Sequence, residues 1–177
     1  MDDSVLKRLY ERGQKIKLVV IGVDGVLTDA GMYFNETGDI IRKFNRRDGM
    51  GIELAARARI KTAVVSSQRS PIVKGFAERF GVDYIRLGAT DKWHEIEKLQ
   101  MSLGAKLDEI AYISDDIDEY AILQRVGLPI TVADGMGTNR AVSAYVTKRS
   151  GGEGAVREAI EVILACKQAA QRAAEQE

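Results

Sequence analysis

The sequence predicts an α/β fold in which helices cover both faces of a doubly wound parallel sheet. Apolar runs of strand length alternate with helical segments along most of the 177 residues, and short links join them. The first run, residues 17–25, is continuously apolar until it ends in glycine and aspartate, which is typical of a strand buried on both faces. This alternation indicates right-handed strand–helix–strand crossovers.

The elements follow in a regular order within one predicted domain, 1–177. Residues 2–14 predict an amphipathic helix that precedes the strand at 17–25. Polar and apolar residues alternate over 32–44 around Glu36-Thr37-Gly38-Asp39, which predicts a β-hairpin. The later predicted elements are helices near 50–58, 70–80, 91–103 and 117–126, strands at 62–66, 83–87, 110–114 and 128–133, and a C-terminal helix of about 153–173 with a polar tail to 177.

Composition excludes several classes of function. The 26 basic and 26 acidic side chains give a formal net charge of zero, which argues against a nucleic-acid partner or an anionic membrane surface. Cys166 is the only cysteine, so no internal disulfide is expected and a reducing cytoplasm is the simplest compartment. The charged N-terminus does not resemble a signal peptide, and no apolar run is long enough to span a bilayer.

Polar residues lie at the carboxyl ends of four predicted strands. Ligands bind at this edge in sheets of this type. Asp24, Asp115 and Asp116 fall at the carboxyl ends of strands, Ser66 ends one, and Lys92 begins a helix just after another. Converging carboxylates repel one another unless a hard cation such as Mg²⁺ binds them. A lysine and a serine beside them can bind phosphate oxygens, so the sequence predicts a metal and phosphate site.

Each of these residues also has an ordinary structural interpretation. An aspartate such as Asp116 is more often a helix N-cap, and Ser66 alone is typical of a turn. Lys92 alone is typical of a solvated helix residue, or of a salt bridge with Asp115 or Asp116. The combination at four strand ends favours the functional interpretation. The remaining candidates are interpreted structurally, His94 as a surface residue and Trp93 and Cys166 as packing residues.

The same residues resemble the motifs of haloacid-dehalogenase phosphatases. Residues 21–29 are similar to the first motif, DxDGxxTD, Ser66 to the second-motif serine or threonine, Lys92 to the third-motif lysine, and residues 114–119 to the fourth motif, GDDxND. FNRRDGMGI (44–52), SPIV (70–73), VADGMG (132–137) and GGEGAVRE (151–158) are similar to the 3-deoxy-octulosonate 8-phosphate phosphatase branch. The resemblance covers about residues 15–165. It implies a Rossmann-like core with a hairpin insertion and no large cap domain.

The resemblance also implies a mechanism and an assembly. In the family, the first aspartate of DxD attacks phosphorus, and the second, here Asp24, protonates the leaving oxygen and then activates water. Mg²⁺ is held by the first aspartate, by the backbone carbonyl of Asp24, and by a fourth-motif aspartate, Asp115 or Asp116. The positions of Ser66, Ser67 and Lys92 contact phosphate. The resemblance further implies a homotetramer in which the hairpin forms a subunit contact and borders the site of a neighbouring subunit.

The sequence departs from the family pattern at the chemically important positions. Gly22 stands where the nucleophilic aspartate is expected, and loss of a nucleophile lowers turnover by on the order of 10⁴ to 10⁶. Asp24 falls on the same side of an extended chain and does not replace it without a shift in register. Ser67-Gln68 stands where the family has Gly-Arg, and Glu153 stands in place of the arginine of the family's GGRG segment. These two changes remove two cations. We therefore expect Mg²⁺ binding to be weakened.

Two functions remain open. The first is a phosphatase-deficient protein of octulosonate or nonulosonate metabolism, which binds an acidic sugar or its phosphate or serves oligomeric assembly. Similar degenerate modules attached to sialic-acid cytidylyltransferases serve oligomerisation, and a cytidylyltransferase or sugar-acid synthase gene nearby would support this function. The second is an active Mg²⁺-dependent phosphatase of a keto-deoxy sugar phosphate, in which Asp24 or a metal-bound water attacks. An engineered or misread Gly22 has less support, because engineered inactivation more often introduces asparagine or alanine.

Overall fold

A six-stranded parallel sheet forms the centre of the molecule. The structure is a computed structural model that describes residues 3–38 and 40–175. In chain order the elements are α1 (Asp3–Gly13), β1 (Leu18–Ile21), β2 (Tyr33–Phe34), β3 (Ile40–Ile41), α2 (Arg46–Arg57), β4 (Lys61–Ser66), α3 (Pro71–Arg79), β5 (Tyr84–Leu87), α4 (Lys92–Leu103), β6 (Ile110–Ser114), α5 (Tyr120–Leu123), β7 (Leu128–Thr131), α6 (Gly137–Val142), β8 (Tyr145–Val146) and α7 (Ala155–Ala174). The strand order is β5-β4-β1-β6-β7-β8.

Both faces of the sheet are buried. Successive residues of a strand point to opposite faces. In β1, Val19 and Ile21 belong to a core that includes residues of α1, α2, α3 and α7. Leu18 and Val20 belong to a second core with α4 and α5. The predicted doubly wound α/β fold is therefore confirmed. Among the helices that the structure describes, none combines the length and apolar character that a membrane span requires.

The first strand is shorter than predicted. The sequence predicts a strand over 17–25, whereas β1 ends at Ile21. The carbonyl oxygen of Val23 accepts hydrogen bonds from the amides of Val26, Leu27 and Thr28, at 2.9–3.2 Å. This turn bends the chain at the end of the sheet, so Asp24 does not lie on an extended chain as predicted.

Other elements differ from the prediction at their ends. Helix α2 begins before residue 50 because Asn45 caps it by accepting the amide proton of Arg47. The helix predicted over 117–126 is a 3-10 turn, Ile117–Glu119, followed by the single turn of α5. Elements α6 and β8 were not predicted. The terminal helices match the prediction within two residues, and residues 2, 176 and 177 of those predicted segments lie outside the described chain.

The predicted hairpin is present as two antiparallel strands of two residues each, β2 and β3. Asp39 of its predicted turn lies outside the described residues, and Gly38 has a φ of 82°. The apolar side chains of Met32, Tyr33, Phe34 and Ile41 are all more than half exposed. The hairpin therefore presents an apolar surface to its surroundings.

Candidate functional site

The carboxyl ends of β1, β4 and β6 and the start of α4 meet around a crevice of about 270 Å³. All six side chains predicted to form a site line it, namely Asp24, Ser66, Ser67, Lys92, Asp115 and Asp116. They converge because the carboxyl ends of parallel strands lie along one edge of the sheet. We call this cavity the crevice below.

Gly22 directly follows β1 and is buried. Its amide donates a hydrogen bond to the carbonyl oxygen of Ile113, at 3.0 Å. A Cβ atom at this position would lie 3.0 Å from Cγ2 of Val26 and 3.2 Å from the Ile113 oxygen. Gly22 is not among the glycines with positive φ. The backbone therefore does not require glycine here, and a side chain needs only small shifts of its neighbours.

Arg42 joins the hairpin to the loops that follow β1 and β4. Its side chain is only 6% exposed. Nε donates to Oδ1 of Asp24 at 3.0 Å, and Nη1 donates to Oγ of Ser70 at 3.1 Å. Nη2 donates to Oε1 of Gln68. A guanidinium therefore occupies one oxygen of Asp24, the residue that the family resemblance places in the acid/base position.

The two serines at the end of β4 differ in exposure. Ser66 is buried and its hydroxyl oxygen accepts the amide proton of Gln68, at 3.1 Å. This bond is the turn role expected of a lone serine at a strand end. Because the oxygen is the acceptor, the Ser66 hydroxyl can still donate its own proton into the crevice. Ser67 is exposed at the crevice.

Lys92 pairs with different carboxylates from those considered in the sequence. The alternative interpretation placed it in a salt bridge with Asp115 or Asp116. In the structure its Nζ atom lies 2.7 Å from Oε1 of Glu119 and 2.8 Å from Oδ2 of Asp118. Burial opposes the charge on Lys92, but Glu119 and Asp118 outweigh burial and raise the pKa of the ammonium group. Lys92 is therefore a charged, already paired group.

Glu119 is the buried centre of this network. Its Oε1 atom also accepts a hydrogen bond from the hydroxyl of Tyr112, at 2.9 Å. Burial and the Glu119 carboxylate together raise the pKa of Tyr112 well above its ordinary value. The Oε2 atom of Glu119 is buried and has no hydrogen-bond partner among the described residues. An unpaired carboxylate oxygen of this kind raises the cost of holding the charge.

Asp115 and Asp116 have different environments. Burial, followed by the carboxylates of Glu119, Asp116 and Asp118, raises the pKa of Asp115 to about 7. In the part of the chain that the structure describes, Asp115 forms no salt bridge. Asp116 is exposed and accepts the amide proton of Ile117 at 2.6 Å, so its interpretation as an N-cap is confirmed.

The carboxylates do not form a closed metal cluster. No group of three or more His, Cys, Asp or Glu side chains within the described residues is arranged to hold a metal ion. Carboxylate and carbonyl oxygens are nevertheless the donors that Mg²⁺ prefers. The oxygen atoms of the crevice are therefore of the type that binds Mg²⁺, but they are fewer than a complete Mg²⁺ site has.

Comparison with known proteins identifies the family. No protein-family model matches the chain. The 3-deoxy-D-manno-octulosonate 8-phosphate phosphatase of Yersinia pestis is 32% identical over 156 residues, which cover 88% of this chain and 83% of that protein. The chain belongs to this phosphatase family. The family is a branch of the haloacid dehalogenase superfamily.

Two solved phosphatases share the fold. The enzyme of the same name from Moraxella catarrhalis, in complex with magnesium, phosphate and KDO, matches with a TM-score of 0.89 and 33% identity. The match covers 92% of this chain and 94% of that chain. The cobalt-bound deoxy-D-mannose-octulosonate 8-phosphate phosphatase of Haemophilus influenzae matches with a TM-score of 0.84 and 32% identity, covering 89% and 92%.

The departure of Glu153 from the phosphatase pattern is compensated from the hairpin. The carboxylate of Glu153 pairs with Nζ of Lys43, which also lies 3.5 Å from Oδ2 of Asp29. Glu153 is therefore not an unpaired anion. Similarly, Arg42 brings a cation to Gln68, where the family pattern has an arginine. Two cations of the hairpin segment therefore contact the positions at which the family pattern has arginine, although neither cation lines the crevice.

Sequence reasoning missed four residues that shape the site of this phosphatase homologue. Arg42 and Lys43 lie in the hairpin segment and outside the four motifs. Glu119 lies within the fourth motif, but its burial and its pairing with Lys92 are visible only in the structure. Asn139, in the unpredicted helix α6, donates to Oγ of Ser114 at 2.9 Å and to the backbone carbonyl of Asp116. Nothing in the local sequence signalled this contact.

Proposed function

We propose that this member of the phosphatase family binds an acidic eight- or nine-carbon sugar, or its phosphate, without hydrolysing it. The observation that carries the proposal is Gly22, which leaves the nucleophile position without a side chain. The ion pair between Asp24 and Arg42 supports it, because one oxygen of the carboxylate in the acid/base position is already occupied by a guanidinium group. The acidic sugar metabolism of its relatives supplies the ligand class.

The crevice retains the groups that binding requires. Ser66 and Ser67 provide hydroxyls, and Lys92 provides a cation. A divalent metal ion would be held by Asp115, Asp116 and the backbone carbonyl of Asp24, as the magnesium and cobalt in related structures support. Such an ion supplies positive charge that offsets the carboxylates and attracts a phosphate.

Self-assembly is part of the proposal. Met32, Tyr33, Phe34 and Ile41 expose apolar surface on the hairpin. Contiguous exposed apolar surface marks interaction sites, and a homotetramer joined through the hairpins would bury it. The neutral formal net charge of the chain opposes such association weakly.

The test combines binding with turnover. Titration calorimetry with 3-deoxy-octulosonate and with its 8-phosphate, in Mg²⁺, is expected to show saturable binding. Phosphate release from the same 8-phosphate is expected to stay at the background of a protein-free control. Saturable release at several turnovers per site refutes the binding function.

An active phosphatase is the second candidate function. It is favoured by the names of the relatives and by the retention of Asp24, Ser66, Lys92 and Asp115 in one crevice. Asp24 would then have to attack phosphorus itself, either through the oxygen that Arg42 does not hold or after leaving Arg42. Mg²⁺-dependent release that disappears in Asp24→Asn, and that persists in the exposed-surface variant Glu97→Gln, supports this candidate.

A further inference from the structure

A second cavity, outside the crevice, is surrounded by basic side chains. Its volume is about 690 Å³, and it shares no lining residue with the crevice. Four cations line it, Arg47 of α2, Arg157 of α7, and Lys148 and Arg149 of the segment after β8. Because the whole chain has a formal net charge of zero, this concentration of positive charge is local. We call this cavity the basic pocket.

The backbone segment that carries Lys148 and Arg149 is held in place by hydrogen bonds. The carboxylate of Glu158 accepts hydrogen bonds from the hydroxyl of Tyr145 at 2.7 Å and from the amides of Lys148 and Arg149 at 2.7 and 3.0 Å. These three donors hold the segment from Tyr145 to Arg149 against α7. The side chains of Lys148 and Arg149 therefore extend from a held backbone, while the Glu158 oxygens are occupied by neutral donors.

The acidic groups do not neutralise the pocket. Its other carboxylate, Glu161, already pairs with Nε of Arg157 at 2.7 Å. Within the described residues, neither Arg47 nor Lys148 has an acidic side chain within ion-pair distance. The guanidinium group of Arg149 donates, within the described part of the chain, only a long hydrogen bond to the carbonyl oxygen of Glu153, at 3.4 Å. Three cationic side chains thus remain available to an incoming anion.

The amides at the start of α7 are not available to such an anion. The amide of Arg157 donates to Oδ1 of the buried Asp48, at 3.0 Å. Burial raises the pKa of Asp48 to about 6, although the amides of Arg157, Gly154 and Val156 lower it. The helix terminus is therefore already occupied by a carboxyl group. Binding of an anion in the pocket has to come from the cationic side chains.

We propose that the basic pocket binds a small molecule with clustered negative charges, such as a pyrophosphate group. Several cations around one concavity match adjacent phosphate oxygens better than a single carboxylate. The volume lies within the range of small-molecule sites. Apart from the buried Tyr145, the lining offers no aromatic ring, so the charges of the ligand carry recognition. A nucleic-acid strand is less well matched, because the cations surround a cavity and do not form an extended stripe.

The test is titration calorimetry of the intact protein with inorganic pyrophosphate in metal-free buffer. The variant Lys148→Glu/Arg149→Glu reverses two pocket charges. It keeps the hydrogen bonds to Glu158, because the backbone amides of residues 148 and 149 donate them. The control Lys7→Glu/Arg172→Glu changes the net charge equally at exposed positions outside the pocket. We expect pyrophosphate to bind the unchanged protein and the control alike, and the pocket variant at least about ten-fold more weakly.

Four outcomes overturn the proposal. The first is no binding by the unchanged protein, and the second is equal weakening in the pocket variant and the control. The third is loss of binding in Lys92→Met, which would place the pyrophosphate in the crevice. Tighter binding of a single-stranded RNA oligonucleotide than of pyrophosphate, weakened equally by both double variants, also overturns it. Equal unfolding temperatures of the two double variants establish that weakening is not misfolding.

Discussion

Aspartate at position 22 is expected to give phosphatase activity to the binding protein proposed above. The new Cβ meets the Val26 methyl at 3.0 Å and the Ile113 carbonyl at 3.2 Å, so its neighbours must shift by a few tenths of an ångström. Crowding of this kind costs about 1–3 kcal/mol, and each kcal/mol lowers the unfolding temperature by about 2–4 °C for a chain of this length. In return, a carboxylate regains the attacking position, which is worth on the order of 10⁴-fold in turnover.

The assay is phosphate release from 3-deoxy-octulosonate 8-phosphate in Mg²⁺. Gly22→Asn is the matched control, because asparagine meets the same neighbours without supplying a carboxylate. We expect Gly22→Asp to turn over, and the unchanged protein and Gly22→Asn to remain at background. Release by the unchanged protein at the rate of Gly22→Asp contradicts the reasoning. Silence of a folded Gly22→Asp also contradicts it and assigns the deficiency to Gln68 and Glu153.

Three further predictions concern the groups around the site. Glu119→Ala removes a buried carboxylate from its lysine and tyrosine partners and is expected to cost about 3 kcal/mol by urea unfolding, whereas Asp118→Ala, at an exposed partner, is expected to cost less than about 1 kcal/mol. The pKa of Asp48 is raised from 3.8 to about 6, so the folded state binds the proton more tightly and stability falls as pH rises from about 4 to 6, by up to about 3 kcal/mol. A slope in urea unfolding that stays as steep in Asp48→Asn contradicts this assignment. Arg42→Ala is expected to speed limited proteolysis of the hairpin, whereas the exposed control Arg46→Ala is not; equal cleavage rates would show that Arg42 does not anchor it.

Much of the fold could be predicted from apolar patterning, and its failures have identifiable causes. The continuous apolar run over 17–21 indicated the central strand correctly, because both faces of β1 are buried. Its end was misplaced, because three amides converge on one carbonyl oxygen of Val23. Elements α6 and β8 were missed because six and two residues are too short to show a period.

The sequence could predict that the site residues converge, but it could not predict which side chains form ion pairs there. Parallel strands bring their carboxyl ends together whatever the side chains, so Asp24 and Lys92 had to lie near one another. The partner of Lys92 depended on which of four neighbouring acids is buried, and burial beside Tyr112 selected Glu119. The position of Arg42 depends on how the hairpin folds over the sheet, which no local pattern encodes.

The central position of β1 has a consequence for the order in which the molecule assembles. Leu18 pairs with Lys61 of β4 on one side and with Ile110 of β6 on the other. About ninety residues separate Leu18 from its second partner, and such distant contacts form late in folding. A nascent chain that has not yet emerged past β6 has no crevice, because Asp115 and Asp116 are still missing from it. The ligand binding proposed for the crevice therefore requires β6, and a fragment ending before β6 is expected to lose stability and binding together.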